Sequence, residues 1–244
     1  MNNPLLALLA KNKGLGQGIR SEHDGDSATI YVYDAIVSDD YWGGISALSF
    51  AKELNAIDAP EIHIRLDSPG GDVFAARAMV QAIKEHKSKI IVHIDGRAAS
   101  AATFLVVAAD ESIIAKGAEF MIHKAWTIAG GNAHDFSNMA SLLERVDDTL
   151  VDDYSEKSGK TVEELRELMT LESYFFGNEA VEAGFIDKLA DTEVKDKINW
   201  DMSAYKSDSN INQKQVKEPE PEPEPEITNL DHLRRRLELV EKVA

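Results

Sequence analysis

The sequence predicts a mainly parallel α/β fold, on three observations. From Ala28 to about Ala190, segments with strand character alternate with segments of helical period, the order that builds a parallel sheet covered by helices. The chain has 244 residues, 43% of them hydrophobic and 28% charged, enough apolar material to bury a sizeable core. Finally, Gly-rich and small-residue turns fall between strands and the helices that follow them, at Ser68-Pro69-Gly70-Gly71 and at Gly96-Arg97-Ala98-Ala99-Ser100.

The elements follow in order. TIYVYDAIV is rich in β-branched and aromatic residues and reads as strand; ISALSFAKELNA reads as helix. EIHIRLDS alternates Ile62, Ile64 and Leu66 and ends in a turn. VFAARAMVQAIKEH places Val73, Ala76, Val80 and Ile83 on one helix face, before the strand KIIVHID and the small-residue stretch AASAATFLVVAA. Strands are expected near SIIAKG and EFMIHKA. A long helix is expected from about Ala133 to Lys157, because Phe136, Met139, Leu143, Val146, Leu150 and Tyr154 recur at spacings of three and four. Ser158-Gly159 marks its stop, and Thr161 with Glu164 forms a capping box for a second helix through Met169. A short strand at SYFF, a helix at NEAVEAG and a strand at FIDKLA complete the body.

Residues 1–27, with Gly14, Gly16 and Gly18, read as an N-terminal arm without firm structure. Residues 28–190 read as the folded domain, and residues 191–227 as a polar linker that includes the Glu/Pro alternation from Glu218 to Glu226. Residues 228–244 carry Leu230, Leu233, Leu237 and Val240 at the spacing of an amphipathic helix.

Composition excludes several classes of function. With 26 Lys plus Arg against 43 Asp plus Glu, the net charge is −17, which repels phosphate backbones and anionic membrane surfaces. Nucleic acid and membrane are therefore not the expected partners. The absence of cysteine removes thiol nucleophiles, disulfides and thiolate metal sites, and no histidine spacing suggests a metal; no cofactor is expected. The apolar run from Leu5 to Ala10 is shorter than a secretory signal and lacks a preceding basic residue, so a cytoplasmic location is expected.

Four places could carry chemistry, and each has a plain structural alternative. Ser68-Pro69-Gly70-Gly71 is either a tight turn or a place where the Gly71 amide faces a developing oxyanion. Ser100, flanked by alanines, is either a helix N-cap in a closely packed turn or a nucleophile whose small neighbours admit substrate, with the Ala101 amide as second oxyanion donor. His123, after a β-like run, is either structural or a general base. Glu172 is either a solvated acid or the group that orients His123.

Taken together, SPGG, GRAAS, MIH and ESYFFGNEAVEAGFID, in this order, resemble the proteolytic subunit of the Clp protease, especially phage-type relatives associated with head maturation. The resemblance spans roughly Ala28 to Ala190. It implies an α/β, crotonase-like (ClpP-like) spiral of ββα units with a long handle helix, and a Ser-His-acid peptidase. It also implies homo-oligomeric assembly as heptameric rings, stacked face to face. By resemblance Ser100 is the nucleophile, His123 the base, and Gly71 and Ala101 the oxyanion amides; Glu172 stands where the family usually has Asp. The helix after Gly130-Gly131 resembles the handle that mates two rings.

The leading functional expectation is an ATP-independent core serine endopeptidase. It cleaves peptide or protein substrates inside a ring-shaped chamber, in phage head or scaffold processing, with a scaffold or capsid protein as partner and the host cytoplasm as its location if viral. An ATPase unfoldase partner is left open. The alternatives are a catalytically silent structural or scaffolding subunit of the same fold and an acyl-CoA enzyme of the wider crotonase fold, which uses paired oxyanion amides without needing a serine and histidine here.

Overall fold

The computed structural model describes residues 11–12, 15–16, 18–41, 43–193, 198 and 200–202. The expected Glu/Pro spacer and the amphipathic terminal helix lie outside the described residues.

The chain enters its main sheet earlier than the sequence suggests. β1 (Gly18–Asp24) pairs antiparallel with β2 (Ser27–Tyr33), so the last part of the expected unstructured arm is a strand. The correction has a simple cause: GIRSEHD is polar, and its place in the sheet comes from edge pairing with the backbone of β2 rather than from an apolar period of its own. β3 (Ile36–Val37) and β4 (Ile45–Ser46) form a small parallel pair, and Ser46 caps α1 (Ala47–Asn55) through the Ser49 amide. β5 (Glu61–Ser68), α2 (Val73–Glu85) and β6 (Lys89–Ala99) follow; Asp72 caps α2 through the Ala75 amide. A 3₁₀ turn (Ser100–Ala102) leads into α3 (Thr103–Val107), then β7 (Glu111–Lys116) and β8 (Glu119–Ile122).

The long helix is α4 (Ala133–Ser158), capped by Asn132 in a capping box with Asp135 and closed by Gly159 at φ 71°. The Thr161–Glu164 capping box opens α5 (Val162–Thr170) as the sequence predicts. β9 (Ser173–Phe176), α6 (Asn178–Glu182) and β10 (Lys188–Glu193) complete the body.

The eight-stranded sheet runs β1-β2-β5-β6-β7-β10, with β8 joined to β6 and β9. β2, β5, β6 and β7 are parallel; along β2 and along β5 as far as Leu66 every second residue is buried, and Asp67 and Ser68 at the end of β5 are buried as well. β6 makes this topology possible because it serves two neighbours in succession. Ile91–Ile94 pair with β7, whereas Arg97–Ala99 pair with β8. Gly96 lies at the divergence, where a side chain would collide with the Asp67 carboxylate. As a result β5, β6 and β8 end side by side, with Ser68 opposite Ala98 and Ala99 opposite Met121. Ligand sites form at such C-terminal strand ends, where loops are free to carry function.

The main core is a large apolar cluster spanning the sheet and its helices, and a second, smaller cluster forms around Ala99 and Met121. Phe185 sits at the aromatic centre of the main core, stacked on Phe120 at 5.2 Å and edge-on to Tyr154 at 5.9 Å.

Ile198, Trp200 and Met202 correct the linker boundary. Trp200 and Met202 are 5% and 1% exposed and pack on Ala99 and Met121, with Ile198 at the edge of the same cluster. The polarity of the surrounding residues hides these apolar anchors in the sequence.

Candidate active site

Ser100 is the first residue after β6, and its backbone φ is +54°. That conformation is costly for a residue with a Cβ, and it persists only where neighbours over-determine it. The N-cap position of the 3₁₀ turn is Ala99, without any side-chain capping bond, so Ser100 is not used as a cap. Its Oγ instead lies 2.6 Å from His123 Nε2. The two residues meet because Ala99 and Met121 are paired across β6 and β8, and Ser100 and His123 lie just beyond that rung.

His123 is 5% exposed. The next residue ties it to the end of α5, since Lys124 N–H donates to Met169 O at 3.1 Å. Glu172 follows the same helix end, and its φ is +51°. Among the described residues, Ser100 and Glu172 are the two non-glycine positions with positive φ, and both are at this site. Glu172 Oε1 lies 4.0 Å from His123 Nδ1, which is ion-pair range and longer than a hydrogen bond.

The SPGG turn lies alongside. Gly70 has φ +83°, and a Cβ there would press on Ala99 O and Ser100 Cβ and lie 3.0 Å from Ala101 N. Glycine is therefore needed for the turn to approach the serine at all. Gly71, at φ +144°, bridges to Ile36: Ile36 N–H donates to Gly70 O at 2.8 Å, and Asp72 N–H donates to Ile36 O at 2.9 Å. In a parallel bridge of this pattern the bridging residue's own amide points away from its partner, and Gly71 lines the cleft beside Ser100. SPGG is thus a tight turn that closely approaches Ser100.

That cleft has a volume of about 390 Å³ and is bordered by Gly71, Ser100 and His123, with Phe74, Trp126 and Ile128 on its walls. The long helix contributes Leu142, Leu143 and Val146. Part of the α4 stripe, on the helix that resembles the ring-mating handle, therefore lines the cleft. One wall is fixed by Asp147, which is 7% exposed and accepts the Ala125 N–H at 2.8 Å. Burial pushes the Asp147 carboxyl up, opposed by that amide and by Lys124 and Arg166. A second link reaches Ser100 from α4. Thr103 donates its hydroxyl hydrogen to Ser100 O at 2.6 Å, so the Tyr154 hydroxyl donates to Thr103 Oγ1, also at 2.6 Å. Burial pushes the Tyr154 phenol up, which keeps it a donor.

Sequence reading missed Asp147, the cleft walls and Trp200. Their partners are remote in sequence, so no local signal marked them. Among the described residues, no group of three or more His, Asp or Glu side chains could hold a metal ion, and no helix is long and apolar enough to cross a membrane.

The fold and the site together define an α/β protein with a serine-histidine pair at the C-terminal ends of parallel strands, beside a glycine turn and an apolar cleft. The chain belongs to the Clp protease family, whose profile matches residues 26–193. It is 30% identical over 139 residues to the ATP-dependent Clp protease proteolytic subunit 2 of Tropheryma whipplei (strain Twist), covering 56% of this chain and 77% of that protein. It is also 30% identical over 151 residues to the proteolytic subunit of Streptococcus sanguinis (strain SK36), covering 59% and 77%. A third relative is the ATP-dependent Clp protease proteolytic subunit-related protein 2, chloroplastic, of Arabidopsis thaliana, 30% identical over 139 residues. That match covers 54% of this chain and about half, 48%, of the plant protein.

Proposed function

We propose that this chain is a serine endopeptidase acting on peptide segments, with Ser100 as nucleophile, His123 as general base, Glu172 as orienting acid, and the Gly71 and Ala101 amides as oxyanion donors. The 2.6 Å contact between Ser100 Oγ and His123 Nε2, at the mouth of an apolar cleft, carries the reading. In the first step His123 Nε2 takes the hydroxyl proton as Oγ attacks the scissile carbonyl carbon. The carbonyl oxygen becomes an oxyanion, which the two backbone amides stabilise without reorganising. The imidazolium then gives its proton to the departing amine, leaving an acyl-enzyme that water hydrolyses by the same route in reverse roles. A carboxylate facing Nδ1 holds the ring orientation and favours the imidazolium; Glu172 needs to move from 4.0 Å to hydrogen-bond distance to do this fully. Phe74, Trp126 and Ile128 suit an apolar substrate side chain next to the scissile bond.

Ring assembly and a role in processing phage head or scaffold proteins belong to the same proposal. The first rests on the exposed outer half of α4, and the second on the motif order in the sequence. The 4.0 Å separation of Glu172 from His123 favours one competing reading, a structural subunit that keeps the fold without turnover. A fluorophosphonate probe followed by peptide mapping separates the two. The peptidase reading expects a covalent adduct on Ser100, lost in Ser100→Ala along with peptide hydrolysis. Absence of the adduct from the assembled wild-type protein supports the structural subunit instead.

A further inference from the structure

Beyond the stretch that matches the family, the segment carrying Ile198, Trp200, Asp201 and Met202 returns to the body beneath the reacting pair. Its anchor is Asp67, near the end of β5 and 2% exposed. Asp67 Oδ1 accepts the Trp200 indole N–H at 2.8 Å, and Oδ2 accepts the Ile198 N–H at 2.9 Å. A buried carboxylate is tolerated only when donors reach it, and both of these come from this segment. Burial pushes the Asp67 carboxyl up while these two bonds and Arg97 pull it down. Gly96 makes room for that carboxylate. On the segment's far side, Asn12 Nδ2 donates to Asp201 O at 3.0 Å and Asn12 Oδ1 accepts the Asp201 N–H at 2.5 Å, so the arm clasps it too.

The apolar side of the segment meets one row of the sheet. Ala99 pairs with Met121, and Met121 pairs with Tyr174. Trp200 and Met202 cluster with Ala99 and Met121, with Tyr174 at the edge. This row adjoins all three residues of the proposed triad in sequence: Ala99 precedes Ser100, Met121 is two residues before His123, and Tyr174 is two after Glu172. Asp67 immediately precedes the SPGG turn.

We propose that this segment is a positioning strap for the active site, with Trp200 and Asp67 as its positioning residues. The proposal rests on the peptidase reading for its effect on rate, but not for its effect on structure. The strap supplies the floor that holds Ser100 at its left-handed φ and fixes the ends of β6, β8 and β9 relative to one another. Truncating Trp200 removes that floor and the Asp67 bond together; Trp200→Phe retains most of the packing and removes only the donor.

The test uses the full chain, below the unfolding midpoint of every variant, with two readouts. Hydrogen exchange of the amides of residues 98–103 and 120–124 reports the floor without needing activity. Fluorophosphonate labelling at Ser100, with kcat and KM on a short peptide, reports positioning. Trp200→Ala is expected to speed exchange in both segments and slow labelling by tenfold to about a hundredfold, the scale of a displacement of about 1 Å at reacting groups. The loss should fall on kcat rather than KM. Trp200→Phe should fall between wild type and Trp200→Ala. Wild-type exchange and wild-type labelling in both variants overturn the strap and leave the peptidase reading intact. Faster exchange in the variants of a protein that never labels at Ser100 supports the strap and overturns the peptidase reading.

Discussion

Between Asp147 and Ser158, α4 lies on the body and buries Leu150, Val151 and Tyr154; between Ala133 and Val146 it buries no residue fully and borders the cleft, with Phe136 51% and Leu142 42% exposed. The apolar spacing runs through both halves without interruption. An apolar stripe of helical period therefore says that a face seeks cover, and says nothing about whether the cover comes from the same chain. The inner half finds the core and, through Tyr154 and Thr103, the carbonyl of Ser100. The outer half finds the cleft with Leu142 and Leu143 and leaves Phe136 for another surface, in keeping with the proposed ring contact.

The comparison breaks most sharply at Tyr154. Tyr154→Ala should cost about 3–5 kcal/mol in denaturant unfolding, as for other large aromatic truncations in a core. Tyr154→Phe keeps the packing, loses the bond to Thr103, and should cost about 1–2 kcal/mol. The same scale of loss on replacing Phe136 would erase the distinction between the halves.

A smaller effect is expected at the free end. Asn132 accepts the His134 and Asp135 amides, so Asn132→Ala should cost about 1 kcal/mol and raise exchange in the first turn of α4 without touching the Tyr154 region. Charge at the exposed stripe should barely alter the body: Phe136→Asp or Leu142→Asp should stay within about 0.5 kcal/mol of wild type in unfolding. In sedimentation the same variants should shift to smaller species. Unchanged sedimentation would assign the outer half to cleft lining alone.

The join between the halves gives a pH effect. Burial raises the Asp147 carboxyl above its ordinary value, so the folded protein holds that proton more readily than the unfolded chain. Its contribution to stability therefore grows as pH falls through the folded pKa toward the unfolded value of about 3.9, and shrinks as pH rises through the same window. Asp147→Asn retains an oxygen for the Ala125 amide, and should flatten this part of the stability profile measured by denaturant unfolding against pH.

Much of the fold was legible because its signals are local. Ile62, Ile64 and Leu66 alternate, Thr161 and Glu164 announce a helix start, and Gly159 announces a stop; each acts over a few residues. The edge strand β1 was not legible, since GIRSEHD gains its place from the backbone of β2. Nor was Trp200, whose partners Asp67, Ala99 and Met121 are remote in sequence.

At the candidate site the division is the same. The sequence by itself singled out the residues now proposed to bear the chemistry: a serine among alanines, a histidine after a strand, two glycines after a proline, and an acid before an aromatic run. It could do so because small side chains and nucleophiles are properties of single positions and their immediate neighbours. Only the tertiary structure decided that β6 serves β7 and then β8. That divergence sets Ser100 Oγ 2.6 Å from His123 Nε2 and leaves Glu172 4.0 Å away, and only the tertiary structure packs Trp200 against Ala99 and Met121. Distances of that kind depend on register between strands far apart in the chain, and register is set by the packing of the whole sheet.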